Sequence, residues 1–284
     1  MDIIFGEKEK HLLPPVESNV GGPDDEIDWT NRVEDYCYGA MIGEQAYESI
    51  NKAIEAANTG DTIDVYGVHR LTEQVVIDKD NLTIQGYRVK TLDGKDDIYN
   101  IPELFVKEDW DVSNPEKNLI SIKNVEKCTL QNLNIRESKR NGISVWNSGH
   151  KKNCNATKAS ECTCDTGVII KNMSIIDVDA SGIVVNGSRV KLEGPHGGAS
   201  GNPNWQSIDV SQGKDVNLPC IFEFESFGQL GGDRRIASDT YKTNPDAIAI
   251  ILNGEDITKD KIIAEEESGK TVWDDKGGAP VYPW

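Results

Sequence analysis

No stretch of this 284-residue chain approaches the roughly 18–20 consecutive apolar residues of a membrane span. The opening segment, Met1 to Lys10, also lacks the apolar run of a signal peptide, so an extracellular or cell-surface location requires a leader that has been removed. Positive charge is scarce: 30 Lys and Arg stand against 48 Asp and Glu, a formal net charge of −18. A surface so acidic repels phosphates, which excludes nucleic acid as a natural partner. Helical patterning is scarce too. It is confined to Glu44–Asn58, and no further helix pattern separates the later strands, which argues against an ordinary α/β unit. Six cysteines are too few to make a chain of this length a disulfide scaffold.

What is present is a repeat. Four segments read apolar, variable, apolar, polar, then Asn or Gly: Leu82–Gly86, Cys128–Asn132, Val168–Asn172 and Val190–Gly194. Each has the period-2 alternation of a short half-buried strand followed by a turn residue. Val168 and Val190 are 22 residues apart, and Cys128 and Val168 are 40 apart. Removing the 18 residues Gly149–Thr166, rich in Lys, Asn and Cys, restores the 22-residue spacing. The 46 residues from Leu82 to Cys128 approximate two periods. Asn132-Leu133-Asn134-Ile135 aligns with Asn172-Met173-Ser174-Ile175, and Asn141–Val145 aligns with Ser181–Val185. Each period therefore holds about three short strands, as one coil of a parallel β-helix would. Stacked coils place inward aliphatic side chains in columns. Asn132 and Asn172 should stack at a turn, in the left-handed conformation that Asn tolerates.

The segment before the repeat fits this architecture. Tyr47, Ile50, Ile54 and Ala57 share one helical face, Gly60 reads as a C-terminal cap, and a strand Thr62–Tyr66 follows. Such a helix can plug the open end of a strand stack. The run Ala53–Ile63, followed by Val75-Val76-Ile77 and Asn81–Gly86, resembles the opening of pectate-lyase-like β-helix proteins. The resemblance spans residues 44–194. It implies an all-β fold, a right-handed single-stranded parallel β-helix with an N-terminal capping helix, but no single reaction: that superfamily holds lyases, hydrolases, epimerases, esterases and non-catalytic surface proteins.

The expected organisation is an irregular lead-in over 1–43, a β-helix over 44–260 with loops 87–118 and 149–166, and a C-terminal cap or tail over 261–284. Beyond Gly194 strands resume at Ser207–Val210, Cys220–Glu225 and Ala247–Leu252.

Charge is uneven. Residues 123–194 hold eleven Lys/Arg and seven Asp/Glu, a net of +4, while the remainder carries −22. By the repeat, Glu137 stacks over Asp177 and Lys139 over Asp179, at alternating positions that put each pair on one outward strand face. Glu137, Asp177 and Asp179 could hold calcium, with Lys139, Arg140 or Arg189 as the base that takes a proton alpha to a uronate carboxylate. The plain alternative is a solvated salt-bridge ladder. Trp146, beside the inserted loop, could stack on a sugar ring, with Lys171 and Lys191 as further substrate contacts. Trp110, Trp205 and the loop residue His196 are weaker candidates. Cys154, Cys162 and Cys164 crowd one segment and could form a zinc site or a disulfide with a spare thiol. The Cys-x-Cys spacing departs from the usual Cys-x-x-Cys, and His150 is the one well-spaced His, so zinc is the minor reading. Sequons at Asn81, Asn155, Asn172 and Asn186 carry little weight.

Signatures of known β-helix enzymes are missing. Thr243–Ile248 approximates the Asn-Thr-Asp-Gly element of polygalacturonases, but Pro245 and Ala247 replace its Thr and Gly, and the later elements are absent. Two readings result. One is a non-catalytic extracellular or cell-surface protein that binds or presents to a polysaccharide or other glycan. The other is a polysaccharide lyase acting on an anionic glycan. The missing signatures tip the balance to the first.

Overall fold

In a computed structural model, residues 39–87, 102–106, 118–165, 167–194, 207–213, 215–230, 235–259, 262–265 and 270–273 are described. They form one helix, three short 3-10 turns and three β-sheets that are largely parallel, with antiparallel pairing at the ends of two of them, an all-β arrangement compatible with a β-helix-like fold. The chain visits the sheets in rotation. Thr62–Tyr66 lies in the first sheet, Val68–Leu71 in the second and Val75–Ile77 in the third. Leu82–Gly86 then returns to the first sheet, Glu103–Val106 to the second and Ile120–Lys123 to the third. The same order recurs for Cys128–Gln131, Asn134–Arg136 and Ile143–Trp146, and again for Val168–Lys171, Ser174–Ile176 and Ile183–Asn186.

Register explains the period. Val168 pairs with Cys128 on one side and Val190 on the other, so equivalent residues of successive rounds sit side by side. Leu82, Cys128, Val168, Val190, Phe222 and Ile250 make one inward column across the first sheet. Ile120, Ile143, Ile183, Ile208, Ile236 and Trp273 make another across the third. All are buried. Burying a side chain of this size stabilises by about 1.5–3 kcal/mol, so β-branched columns are the main support of the stack. The intervening outward positions are mixed: Thr129, Lys191 and Glu223 are polar in the first sheet, whereas Ile169, Val184 and Ile251 are apolar, so the alternation is strongest on the inward side.

Corners are set by residues that accept positive φ. Asn132 (φ 58°) and Asn172 (φ 49°) occupy equivalent turns, and Asn172 Nδ2 donates to Asn132 Oδ1 at 3.2 Å, as the repeat predicts. Gly86 and Gly194 flank this pair. A Cβ on Gly86 would lie 1.8 Å from the Asn132 carbonyl oxygen, and one on Gly194 2.0 Å from Asn172 Oδ1. A second ladder joins Asn147 Nδ2 to Asn124 Oδ1 at 2.9 Å.

Several expectations need correction. The helix covers only Ile50–Ala56, with Ser49 as N-cap accepting from the Lys52 N–H, because Gln45–Tyr47 is drawn into a strand beside Gly39–Ile42. Ala57, not Gly60, is the C-cap; Gly60 (φ 93°) makes the turn into the next strand. Leu82 pairs directly with Cys128, so the 46-residue gap is one round with a long excursion rather than two rounds. The helix does close an edge: the Asn51 side chain accepts from the Val76 N–H and donates to the Gln74 carbonyl, satisfying the first strand of the third sheet. At the far end Thr271–Trp273 pairs antiparallel with Ile236–Ser238, and the Trp273 indole donates to the Thr258 carbonyl at 3.0 Å. The strands beyond Gly194, at Ile208–Val210, Cys220–Phe224 and Ile248–Leu252, continue the first and third sheets, while the second ends at Ser174–Ile176.

Candidate functional site

The sequence-derived candidates are spread over the molecule. Glu137 (φ 57°) and Asp177 (φ 54°) lie in left-handed turns after their strands, not within them, so the alternation that gave them a shared strand face does not apply. Glu137, Lys139, Arg140, Asp177 and Asp179 are all exposed. Asp177 faces Arg136 at 3.9 Å. Among the described residues one group of metal-ligating side chains converges, and Glu137, Asp177 and Asp179 are not in it. Arg189 lies on the first sheet with its guanidinium on Glu223, Nη2 to Oε1 at 2.7 Å, and also donates to the Cys164 carbonyl. Lys171 and Lys191 face the same acid, Glu193, at 3.7 and 2.7 Å. Trp146 ends a strand of the third sheet, and its ring covers Gly213, where a Cβ would come within 2.7 Å. Trp110, Trp205 and His196 lie outside the described residues. Asp246, from the polygalacturonase-like element, pairs with Lys158 of the inserted loop at 3.4 Å.

The basic island is thereby largely neutralised. Six of its cations, Arg136, Lys152, Lys158, Lys171, Arg189 and Lys191, sit opposite carboxylates. The Lys191 hydrogen bond holds the Glu193 carboxyl below its ordinary range, against an opposing effect of burial.

The outer face of the first sheet carries a feature that the sequence did not disclose. Asp64, Gln85 and Gln131 are cross-strand neighbours, linked by Gln85 Nε2 to Asp64 Oδ1 at 2.6 Å and Gln131 Nε2 to Gln85 Oε1 at 2.8 Å. Beside them the rings of Tyr66 and Tyr87 lie 5.0 Å apart at 33°. Tyr87 is exposed at 38% and Tyr66 half-buried. Burial, then the Asp64 carboxylate, pushes the Tyr66 hydroxyl up to about 12, so it remains a donor at neutral pH. Tyr66 and Tyr87 are separated by 21 residues and meet only through strand register, which is why neither stood out in the sequence.

The inserted loop has a structure of its own. It leaves and returns at two touching glycines: a Cβ on Gly167 would lie 2.7 Å from Gly149 Cα, and one on Gly149 (φ 81°) 2.1 Å from the Arg189 carbonyl oxygen. A loop with its ends together can be inserted without shifting the strands around it. Within it His150, Cys154, Cys162 and Cys164 bring their ligand atoms within 4.8 Å of one another. His150 Nδ1 lies 3.4 Å from Cys162 Sγ, while its Nε2 faces the Pro219 carbonyl at 2.9 Å. The Lys151 N–H donates to Cys164 Sγ at 3.3 Å. Burial lowers the His150 imidazole pKa, the Pro219 carbonyl opposes this, and the Arg189 charge adds to the lowering. The five described cysteines are free thiols, so the disulfide reading of this segment is corrected. Among the described residues these four side chains are the group that could hold a metal.

Compared with protein-family models, characterised proteins and solved structures, the chain matches none. No helix among the described residues is long and apolar enough to cross a membrane.

Proposed function

We propose that the three sheets are the faces of a right-handed, single-stranded parallel β-helix of the pectate-lyase-like kind. We propose further that the protein binds a glycan without cleaving it, on the outer face of the first sheet around Tyr66 and Tyr87. The rotation of the chain through the sheets supports the coil, and the strong right-handed preference of parallel crossovers supports the hand. The observation that carries the binding reading is the tyrosine pair beside the Asp64–Gln85–Gln131 ladder. An exposed aromatic face suits the apolar face of a sugar ring, and adjacent amides and a carboxylate suit its hydroxyls. The paired cations of the middle region and the net charge of −18 favour a neutral glycan over an anionic one. An extracellular or cell-surface location goes with such a partner.

Titration calorimetry against neutral and anionic polysaccharides tests this. Tyr87→Ala should weaken binding to a neutral polysaccharide by about tenfold, the equivalent of one good ring contact. Retention on anionic glycans that is indifferent to Tyr66→Ala and Tyr87→Ala, but lost in Lys139→Ala with Arg140→Ala, would overturn the reading. Accumulation of an unsaturated uronate product from pectate, alginate or a glycosaminoglycan, with or without calcium, would favour the lyase.

A further inference from the structure

We propose that His150 Nδ1 and the thiolates of Cys154, Cys162 and Cys164 form a tetrahedral site for one structural zinc ion, which locks the inserted loop across several rounds of the stack. Zinc bonds of about 2.3 Å to sulfur and 2.0–2.1 Å to nitrogen require ligand atoms roughly 3.5–3.8 Å apart along the tetrahedron's edges. The 3.4 Å from His150 Nδ1 to Cys162 Sγ fits an edge, and the mutual limit of 4.8 Å for all four atoms leaves little closure to make.

The surroundings are those of a ligand set. The Pro219 carbonyl accepts from His150 Nε2–H, which fixes the tautomer and turns the Nδ1 lone pair toward Cys162. Metal-bound imidazoles are oriented in this way by an acceptor on the other nitrogen. The Lys151 N–H on Cys164 Sγ stabilises a thiolate there. Three thiolates and Zn²⁺ sum to −1, and the Arg189 guanidinium, bonded to the Cys164 carbonyl, lies against that charge. Three soft donors and an imidazole select zinc over calcium or magnesium. Four protein ligands leave no open position, so the role is structural. Binding releases the thiol protons to solvent.

The consequence follows from where the loop is tied. Lys152 Nζ pairs with Asp80 at 2.6 Å, and the Lys152 N–H donates to Glu126, on earlier rounds. His150 reaches Pro219 and Lys158 reaches Asp246, on later ones. The ion would make these separate tethers one rigid strap.

The test uses the intact chain purified under reducing conditions. Elemental analysis should give one zinc per chain. After chelation, Co²⁺ should restore the d–d and thiolate charge-transfer bands of tetrahedral cobalt. Cys162→Ser and His150→Ala should each lose the metal while the strand signal in circular dichroism is kept, since the loop's covalent joints to the stack are at its glycine stem and its other ties are hydrogen bonds and ion pairs. Trypsin should cut at Lys151, Lys152 or Lys158 only in the metal-free protein. If a variant misfolds, the cobalt spectrum of the wild type decides. Reduced wild type without bound metal and without a tetrahedral cobalt spectrum overturns the site. So does metal retained by the chain carrying both Cys162→Ser and His150→Ala, or a mass lower by two hydrogens with two of the three thiols blocked.

Discussion

Middle and late rounds of the stack solve the same packing problem with different side chains. From Cys128 to Asn186 each round supplies a strand to all three sheets, and the interior columns are aliphatic: Leu130, Ile135, Ile143, Ile170, Ile175 and Ile183 are all buried. Among the described residues from Ile208 to Leu252 the second sheet has no strand. A 3-10 turn, Phe227–Leu230, follows Cys220–Phe224 instead. Its buried Gln229 accepts from the N–H groups of Glu225 and Ser226 and donates to the Gly194 carbonyl. Here aromatic rings join aliphatic residues such as Ile208, Ile236 and Ile250 in the interior. Phe222 and Phe224 lie 5.5 Å apart, Phe224 and Phe227 5.0 Å, and Tyr241 and Trp273 5.2 Å. Beside the 3-10 turn, clustered rings pack the interior and a side-chain amide satisfies the backbone.

If that contrast is right, the late rounds should be the more sensitive to truncation. Trp273→Ala removes a fully buried ring at the end of the Ile column together with its hydrogen bond to Thr258, and should lower stability by about 3–5 kcal/mol in urea titration. Gly194→Ala tests the border between the regions: the residue has φ 90° and no room beside Asn172, so a loss of about 1–3 kcal/mol is expected. Asn172→Ala in the same chain should recover the steric part and leave the backbone part. Ile170→Val, in the aliphatic middle, should cost only about 0.5–1.5 kcal/mol, because one methyl is lost from a column that keeps its shape.

The smallest effect concerns charge on the middle rounds. The folded-state pKa of Glu193 lies below its ordinary 4.5, first because of the Lys191 hydrogen bond. Its contribution is therefore present above pH 4.5 and lost as pH falls through the lower folded value. Glu193→Gln should flatten the acid limb of the stability profile and leave the neutral plateau nearly unchanged, since the pair is partly exposed. A steeper acid limb in the variant would contradict the pairing.

Much of the fold was legible because strand pairing joins identical positions of a repeat. The Cys128, Val168 and Val190 register and the Asn132–Asn172 stack could be read by alignment, whereas beyond Gly194 the repeat weakens and the strands were read from local alternation alone. Expectations failed where the relation was not periodic. The round holding the 46-residue gap was miscounted because a loop and a second round have the same length. Glu137 and Asp177 were placed in strands because alternation does not announce where a left-handed turn ends it. Tyr66 and Tyr87 share no motif and meet only across the sheet. The three cysteines and His150 were visible, but their convergence was not: Cys-x-Cys spacing does not announce that the loop folds back to bring the four ligand atoms together.

The touching glycines at the base of that loop carry a broader consequence. Because Gly149 and Gly167 meet, residues 150–166 could be excised and the cut ends rejoined with little movement of either neighbour. The set of stacked strands is thus a chassis with a socket, into which a peptide of another length or chemistry could be spliced without disturbing the rows of strands above and below it.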